Sequence, residues 1–422
     1  MKKNELLVVL FAVCSTWAIQ AQSKDVSINY ESWTPYKDTM EEIVGDLKKT
    51  NPTISVEIKM YANYTEFVNS ARVSFAAKVG PDVFAFDSPT SLALQKALIE
   101  PLDSYAEKEW GKDWRKRFLS SALTDCSLDG KLMGLPMGSM PGGLIWYNKT
   151  MFTKFGIKVP QNYADLKKAA DTLRKNNMQP LLLGGKDAWI VIDTFQTVLN
   201  DFAPGKQYLA YAKKSKFTDP AIIKAFEFWK KMYDDKNIQD QSFSMTAYMD
   251  CYNAMIDKQN AGMWSNGAWN LDIFGNADLK DKVNAVEWGV MPFPDLNGDG
   301  KIPPTMSTVG GFCISKDSKN KEAAWQLLKS MGTGTGMRLQ TERFLWTPPL
   351  TISVPVNTSL SQNASDLRNS IANIVSTTPP VYRGIPNAKV ADKMYDVLNK
   401  VALGVMKPDA AAAEVQKVID AN

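Results

Sequence analysis

Strand-like and helix-like patterns alternate along the first hundred residues, and this alternation constrains the fold most. Residues 26–30 alternate apolar and polar side chains, as a half-buried strand does, and a helical pattern covers residues 38–49. The order then repeats, with a strand pattern at 54–60, an amphipathic helix at 64–78 and a buried strand at 81–87. Strands that alternate with helices predict an α/β fold with a parallel sheet covered on both faces.

The alternation is interrupted by a helix-rich stretch between about residues 163 and 263, and it resumes further on. Strand patterns return at 287–291 and 307–315, and helical patterns follow at 321–331 and 390–403. A sheet interrupted in this way predicts two lobes, joined by several chain crossings and separated by a cleft. We expect the following division: a first α/β lobe at 23–143 and 292–340, and a second, helix-rich lobe at 144–291 and 341–422.

Residues 1–22 have the layout of a secretory signal peptide. Two lysines precede an apolar run at residues 6–13, and small residues follow it. The run is shorter than the roughly 18 apolar residues of a membrane-spanning helix. We therefore expect export to the periplasm or another extracytoplasmic space. Lipid attachment at Cys14 is the weaker alternative, because the bulky Val13 precedes it where a small residue is expected.

Three features of the composition limit the functions that this chain can have. The chain has no histidine, which excludes Ser-His-Asp and Cys-His relays and histidine-ligated zinc. The net charge is only +4 and the basic residues are scattered, so nucleic-acid binding is not expected. The 12 tryptophans favour stacking on sugar rings or other planar ligands, although a tryptophan-rich core is the simpler explanation for any one of them.

Three cysteines remain after the signal peptide, namely Cys126, Cys251 and Cys313, and no CxxC pair is present. They allow at most one disulfide, and we expect buried free thiols.

Short segments spread over most of the chain form a recognisable pattern. In order they read PDVF at 81–84, ALIEPL at 97–102, GKLMGLP at 130–136, IWYNK at 145–149, AGM at 261–263, NGAW at 266–269, WGVMPFP at 288–294, GGF at 310–312 and SKNKEAAW at 318–325. Their order and spacing resemble those of extracellular solute-binding proteins of the maltodextrin-binding type, the capture subunits of ABC sugar importers.

This resemblance implies two α/β lobes around a hinge, with a ligand cleft between the lobes that closes on the solute. The chain would cross between lobes near residues 144–148, 286–291 and 338–346. The expected function is carbohydrate capture, most simply of an oligosaccharide, and delivery to the permease subunits of an ABC importer. We expect a monomer that is not an enzyme and has no cofactor.

The resemblance also implies that Trp33, Asp87 and Trp269 line the cleft. Trp33 and Asp87 are marked independently, because each follows a strand and ligands of such sheets bind beyond the strands' carboxyl ends. Family members commonly carry a polar group where this chain has Trp33 and Thr34, so the identity of the sugar stays open. The predicted ligand-binding residues are Trp33, Thr34, Phe86, Asp87, Trp189, Trp264, Trp269, Gly311, Arg343, Trp346, Tyr382 and Arg383.

Structural roles compete with these ligand roles. Asp87 could cap the following helix, and Trp189 could make a hydrophobic contact at a helix start. For Trp269 we favour ligand stacking over the core, since Gly267 lets a ligand approach the backbone.

Residues 295–301 look like the first half of a calcium-binding loop, with oxygen-bearing side chains at alternate positions. The twelfth position is Met306, where an EF-hand has a bidentate glutamate. We therefore favour a simple turn and predict no metal site.

Two other functions remain open. A carboxylate-dependent extracellular glycosidase also uses aromatic residues and needs no histidine, but no carboxylate pair can be placed across one cleft. The same fold could bind a non-sugar solute such as a polyamine, although few charges lie on the cleft loops.

Overall fold

The computed structural model describes residues 25–275, 279–301, 305–308, 310–344, 346–351, 362–377, 381–382, 384–385 and 387–422. The predicted signal peptide, Cys14 and Arg383 lie outside the described residues.

The described strands are β1 (Val26–Ser32), β2 (Ile54–Met60), β3 (Val83–Phe86), β4 (Ser127–Leu128), β5 (Lys131–Leu132), β6 (Leu135–Pro136), β7 (Ser139–Gly142), β8 (Leu144–Asn148), β9 (Gln179–Leu182), β10 (Ala261–Asn266), β11 (Trp288–Pro292), β12 (Thr305–Thr308), β13 (Gly311–Ile314) and β14 (Val381–Tyr382).

The described α-helices are α1 (Lys37–Thr50), α2 (Tyr64–Ala76), α3 (Pro89–Gln95), α4 (Asp103–Trp110), α5 (Ser120–Asp125), α6 (Lys149–Phe155), α7 (Tyr163–Lys175), α8 (Ala188–Phe202), α9 (Lys206–Tyr211), α10 (Pro220–Asp234), α11 (Asp272–Gly275), α12 (Lys280–Asn284), α13 (Lys321–Thr333), α14 (Thr335–Phe344), α15 (Gln362–Thr377), α16 (Ala388–Ala402) and α17 (Pro408–Ala421).

Asparagine and aspartate side chains define where several helices begin. The side chain of Asn162 accepts a hydrogen bond from the backbone N–H of Asp165 at the start of α7. Asp219 does the same for Ala221 at the start of α10, where Pro220 occupies the first helical position. Such caps satisfy backbone donors that have no partner within the helix.

The first sheet has the strand order β2-β1-β3-β13-β6. β1 pairs in parallel with β2 and β3, which confirms the predicted parallel arrangement. β13 runs antiparallel between β3 and β6. The single strand predicted at 307–315 is two strands that join different sheets. They separate at Gly310, whose φ of +117° favours glycine.

The second sheet has the order β11-β8-β10-β9. β8 lies between two antiparallel neighbours, and β10 pairs in parallel with β9. The sequence patterns did not predict β9 and β10, because all six residues of β10 are buried and the alternation of a half-buried strand is absent.

Neighbouring residues of β8 in the second sheet pack into two different apolar clusters. Ile145 belongs to the cluster formed with α7, α8, α10, α16 and α17, whereas Trp146 belongs to the cluster that continues into the first sheet. This alternation follows from the two-residue period of a strand. The second sheet is therefore covered on both faces.

A small third sheet, of order β14-β12-β7, lies where the chain passes between the two larger sheets. β7 connects β6 of the first sheet to β8 of the second, and β12 connects β11 back to β13. The two connecting strands pair with each other in antiparallel fashion. β7 and β12 therefore carry the chain between the two larger sheets and pair with each other. A hinge between the lobes would lie at this pair of strands.

The predicted lobe boundary between residues 340 and 341 falls inside α14. This helix packs mainly against α1 and α13, beside the first sheet, and it also contacts α11, so the predicted boundary divides a single helix. Within the described part of the chain, no helix has the length and apolar character needed to cross a membrane.

Candidate functional site

Three aromatic rings from separate elements meet in the second lobe. Trp189 is at the start of α8, Tyr248 lies in a π-helical segment (Ala247–Cys251), and Trp269 lies in a short 3₁₀ helix after β10. The rings of Trp189 and Tyr248 are stacked, with centroids 5.7 Å apart, and Trp269 meets Trp189 edge-on at 5.9 Å. All three side chains are only partly buried. We call these residues the second-lobe aromatic cluster.

Two neighbouring residues hold Trp269 in place. Its indole Nε1–H donates to Asn266 Oδ1 at 2.5 Å, and Asn266 Nδ2 donates to Asn270 Oδ1 at 2.8 Å. The ring lies against Gly267, where a Cβ atom would come within 2.1 Å of the indole. The glycine therefore provides the space that the ring occupies.

The loop before α8 positions Tyr248. Asp187 Oδ2 accepts a hydrogen bond from the backbone N–H of Ala247 at 2.8 Å. A Cβ atom at Gly184 would lie 2.4 Å from that same backbone nitrogen, so the two segments approach as closely as a glycine allows. Burial raises the pKa of Asp187, and the Ala247 N–H partly opposes this rise.

Tyr248 was not predicted from the sequence. The residues around it lack a helical or alternating pattern, and a π-helix has no simple signature in a single sequence. The available signal was its position in the helix-rich stretch between about residues 163 and 263, which does not distinguish it from other aromatic residues there.

A second group of aromatic side chains lies in the first lobe. The Trp33 ring packs edge-on against Tyr64, with centroids 4.7 Å apart, and lies 5.7 Å from Phe67. The pKa of Tyr64 is raised well above its ordinary value, first by burial and then by the negative charge of Asp87. Tyr64 therefore connects two predicted site residues, Trp33 and Asp87, that follow different strands.

Two serine hydroxyl groups donate hydrogen bonds to the Asp87 carboxylate. Its Oδ1 accepts from Ser88 Oγ at 3.0 Å and from Ser91 Oγ at 2.5 Å. The residue that caps α3 is Ser88, whose side chain accepts from the Ser91 N–H. Asp87 thus supports the cap indirectly, and the capping role considered for it belongs to its neighbour.

The structure gives several other predicted site residues packing roles. Phe86, Trp264 and Gly311 are buried in the core, where a Cβ at Gly311 would come within 2.6 Å of the Phe86 ring. Trp346 is only 7% exposed, because its side chain packs over Gly138.

Arg343 also has a structural role. Its guanidinium donates to Thr39 Oγ1 at 2.7 Å and to Glu42 Oε2 at 2.5 Å, so it ties α14 to α1. Ligand contact by Arg343 stays a prediction beside this structural role.

The structure describes two further predicted residues, Thr34 and Tyr382. Thr34 is half-buried next to Trp33, and its carbonyl oxygen accepts a hydrogen bond from the Tyr30 hydroxyl. Tyr382 lies in β14, paired with Met306 of β12 in the small sheet.

Comparisons with known proteins show which family and which relatives this chain resembles. A family model described as bacterial extracellular solute-binding protein matches residues 30–333. The multiple sugar-binding protein of Streptococcus mutans is 24% identical over 341 residues, which cover 78% of this chain and 77% of that protein.

Solved structures show the same fold. One comes from a study of xylan utilisation by Caldanaerobius polysaccharolyticus. It matches with a TM-score of 0.77 at 18% identity and covers 93% of this chain and 100% of that one. A maltose-bound protein of T. maritima matches with a TM-score of 0.73 at 19% identity and covers 93% and 99% of the two chains. These matches confirm the predicted two-lobed α/β class.

Proposed function

Because the chain belongs to the family of bacterial extracellular solute-binding proteins, we propose that it captures a carbohydrate outside the cytoplasm and delivers it to the permease of an ABC importer. We propose an oligosaccharide as the ligand, with export directed by residues 1–22 and a monomer as the working form. No step of this cycle requires the protein to make or break a covalent bond.

The observation that carries the proposal is the second-lobe aromatic cluster. Sugar rings have apolar faces that stack on aromatic rings, and their hydroxyl groups need a few fixed polar partners at the rim. Trp189, Tyr248 and Trp269 are held by neighbouring backbone and side-chain groups and keep part of their surface accessible. A rigid platform of this kind binds a ligand without losing much side-chain entropy.

The first lobe would supply the opposing surface. In our proposal Trp33 stacks on the ligand from that lobe, and the Asp87 carboxylate accepts hydrogen bonds from sugar hydroxyls. Hydrogen bonds to a charged acceptor are the stronger kind, and hydroxyl groups already orient this carboxylate.

Closure of the lobes would follow from contacts made by both of them. A ligand stabilises a closed state only through its higher affinity for that state, so each lobe has to contribute. The paired strands β7 and β12 link the two larger sheets and are the natural place for bending.

The named relatives support the carbohydrate class rather than one sugar. Their descriptions refer to multiple sugars, to xylan utilisation, to chitin oligosaccharide and to maltose. These descriptions name chemically different saccharides, so they support the carbohydrate class and leave the particular sugar open.

A thermal-shift screen against mono- and oligosaccharides tests the proposal. We expect at least one oligosaccharide to raise the melting temperature, since a ligand that binds only the folded state stabilises it. Chromatography of the same mixtures should recover the sugar uncleaved. A screen with no stabilising sugar, or one in which the sugar is hydrolysed, would contradict the proposal.

A further inference from the structure

A loop with the spacing of a calcium-binding loop follows β11. Asp295, Asn297 and Asp299 stand at alternate positions, and the carbonyl of Lys301 comes next in that series. The loop is tightly folded, because the two Asp295 carboxylate oxygens accept from the N–H groups of Gly298 at 2.7 Å and Gly300 at 2.9 Å. By itself this loop lacks the carboxylate that would complete a cation site.

Asp201 supplies a carboxylate from a different element. It lies near the end of α8 and is only 8% exposed. Its ligand oxygen and those of Asp295 and Asp299 all lie within 4.8 Å of one another. Among the described residues no lysine or arginine pairs with Asp201, and its carboxylate oxygen accepts only from neutral backbone N–H groups, that of Leu296 at 3.2 Å among them.

The electrostatics of this group are unfavourable without a positive charge. Asp201 is buried, and its carboxylate lies beside two others that carry the same charge. The C-terminal end of α8 adds the negative end of a helix dipole. A buried carboxylate beside two others is stable when a cation or a proton neutralises it.

We propose that Asp201, Asp295, Asp299 and the side-chain oxygen of Asn297 bind a calcium ion. All of these donors are oxygen atoms, which suits a hard cation, and irregular oxygen coordination suits calcium better than magnesium. The sequence pattern alone favoured a turn because Met306 occupies the twelfth position. The fold places Asp201 where the missing carboxylate is needed.

The ion would connect three segments of the chain. The loop also contacts the segment before α7, where the Asp295 N–H donates to Gln161 O at 3.1 Å and the Tyr163 N–H donates to Asp295 O at 3.1 Å. A bound ion would join this segment and the end of α8 to the loop through which the chain leaves the second sheet. Calcium should therefore raise the stability of the folded protein.

Calorimetric titration with calcium chloride, after treatment of the protein with EDTA and removal of the chelator, tests the proposal. Thermal melts with and without calcium chloride provide a second readout, and magnesium chloride tests selectivity. The variants are Asp201→Asn and Asp299→Asn, with Asp317→Asn as a control on another exposed turn.

We expect saturable heat and a raised melting temperature for the wild type and the control. Each site variant should weaken calcium binding by roughly tenfold or more. The proposal is overturned if the wild type gives neither heat nor a thermal shift, as expected if a proton neutralises the cluster. It is also overturned if both site variants bind calcium as the wild type does. Asp299 is exposed, so its variant remains informative even if Asp201→Asn fails to fold.

Discussion

The position of Trp269 depends on the absence of a side chain at residue 267. The indole occupies the space that a Cβ at Gly267 would fill, and its Nε1–H is held by Asn266. Only the far end of the ring would collide with an added methyl group, so the ring would move while the strand before it stays in place. The geometry of the binding platform is therefore sensitive to one methyl group.

We predict that Gly267→Ala weakens sugar binding by about tenfold, since misplacing one stacked ring costs about 1.4 kcal/mol. The melting temperature should fall only slightly. Gly45→Ala is the control, because a Cβ there meets no atom within 4 Å. Calorimetry with the sugar found by thermal shift measures the effect, and equal affinities for the two variants would rule out this role of Gly267.

Sequence reasoning identified individual residues where a local pattern marked them. The strand ends marked Trp33 and Asp87, and the structure connects these two through Tyr64. Tyr248 lies in a π-helical segment and Arg343 pairs across two helices, and neither arrangement leaves a local pattern. Burial of Trp264 depends on the tertiary fold in the same way, whereas burial of Phe86 agrees with the buried strand predicted at 81–87.

At the level of elements, the π-helical segment and the loop before α8 act as one unit. Asp187 accepts the Ala247 N–H, and Ala247 is fully buried. Removing the acceptor would leave a buried donor without a partner, at a cost of about 1–3 kcal/mol. The position of Tyr248 depends on this hydrogen bond.

We predict that Asp187→Ala lowers the free energy of unfolding by about 1–3 kcal/mol, whereas Asp187→Asn retains the acceptor and most of the stability. The pKa of Asp187 is raised in the folded protein, so protonation on acidification favours folding. The wild type should therefore gain stability relative to Asp187→Asn as the pH falls through the range between its folded and unfolded pKa values. Urea unfolding at several pH values checks this, and a constant difference would contradict it.

The elements were predictable to different degrees. β1, β2 and the helices around them have clear periods, and their pairing followed from the alternation. β9 and β10 could not be predicted from the sequence, because strands buried on both faces lack a two-residue pattern. The division of 307–315 into two strands depends on Gly310, whose conformation only the fold reveals.

For the whole molecule, a hydrogen bond outside the small sheet also links the two lobes. Thr90 Oγ1, at the start of α3, donates to the backbone oxygen of Ile385, before α16. Ile385 is packed in the apolar cluster of the second lobe. This hydrogen bond therefore contributes to holding the lobes together.

We predict that Thr90→Ala weakens sugar affinity about fivefold and increases the radius of gyration of the sugar-free protein, because a hydrogen bond contributes about 1 kcal/mol. Thr90→Ser retains the hydroxyl and should behave as the wild type. X-ray scattering and calorimetry test this pair of variants. The same scattering curve and affinity for Thr90→Ala and Thr90→Ser would show that the contact does not hold the lobes together.

The two-lobed plan was predictable from the interrupted sheet, but the lobe boundary in the last third of the chain was not. Residues 338–346 were expected to cross between lobes, yet most of them form α14, which stays against α1. A helical period shows which face of a helix is apolar. It does not show which sheet that face packs against.

The central claim is that aromatic residues of both lobes bind one carbohydrate. Calorimetric titration of the wild type, Trp33→Ala and Trp269→Ala with the most stabilising oligosaccharide tests it most directly, with Trp110→Phe as a control away from both aromatic groups. We predict one binding site, with affinity reduced roughly tenfold or more in each alanine variant and unchanged in the control. If no carbohydrate binds, or if both alanine variants bind it as tightly as the wild type, the account is contradicted.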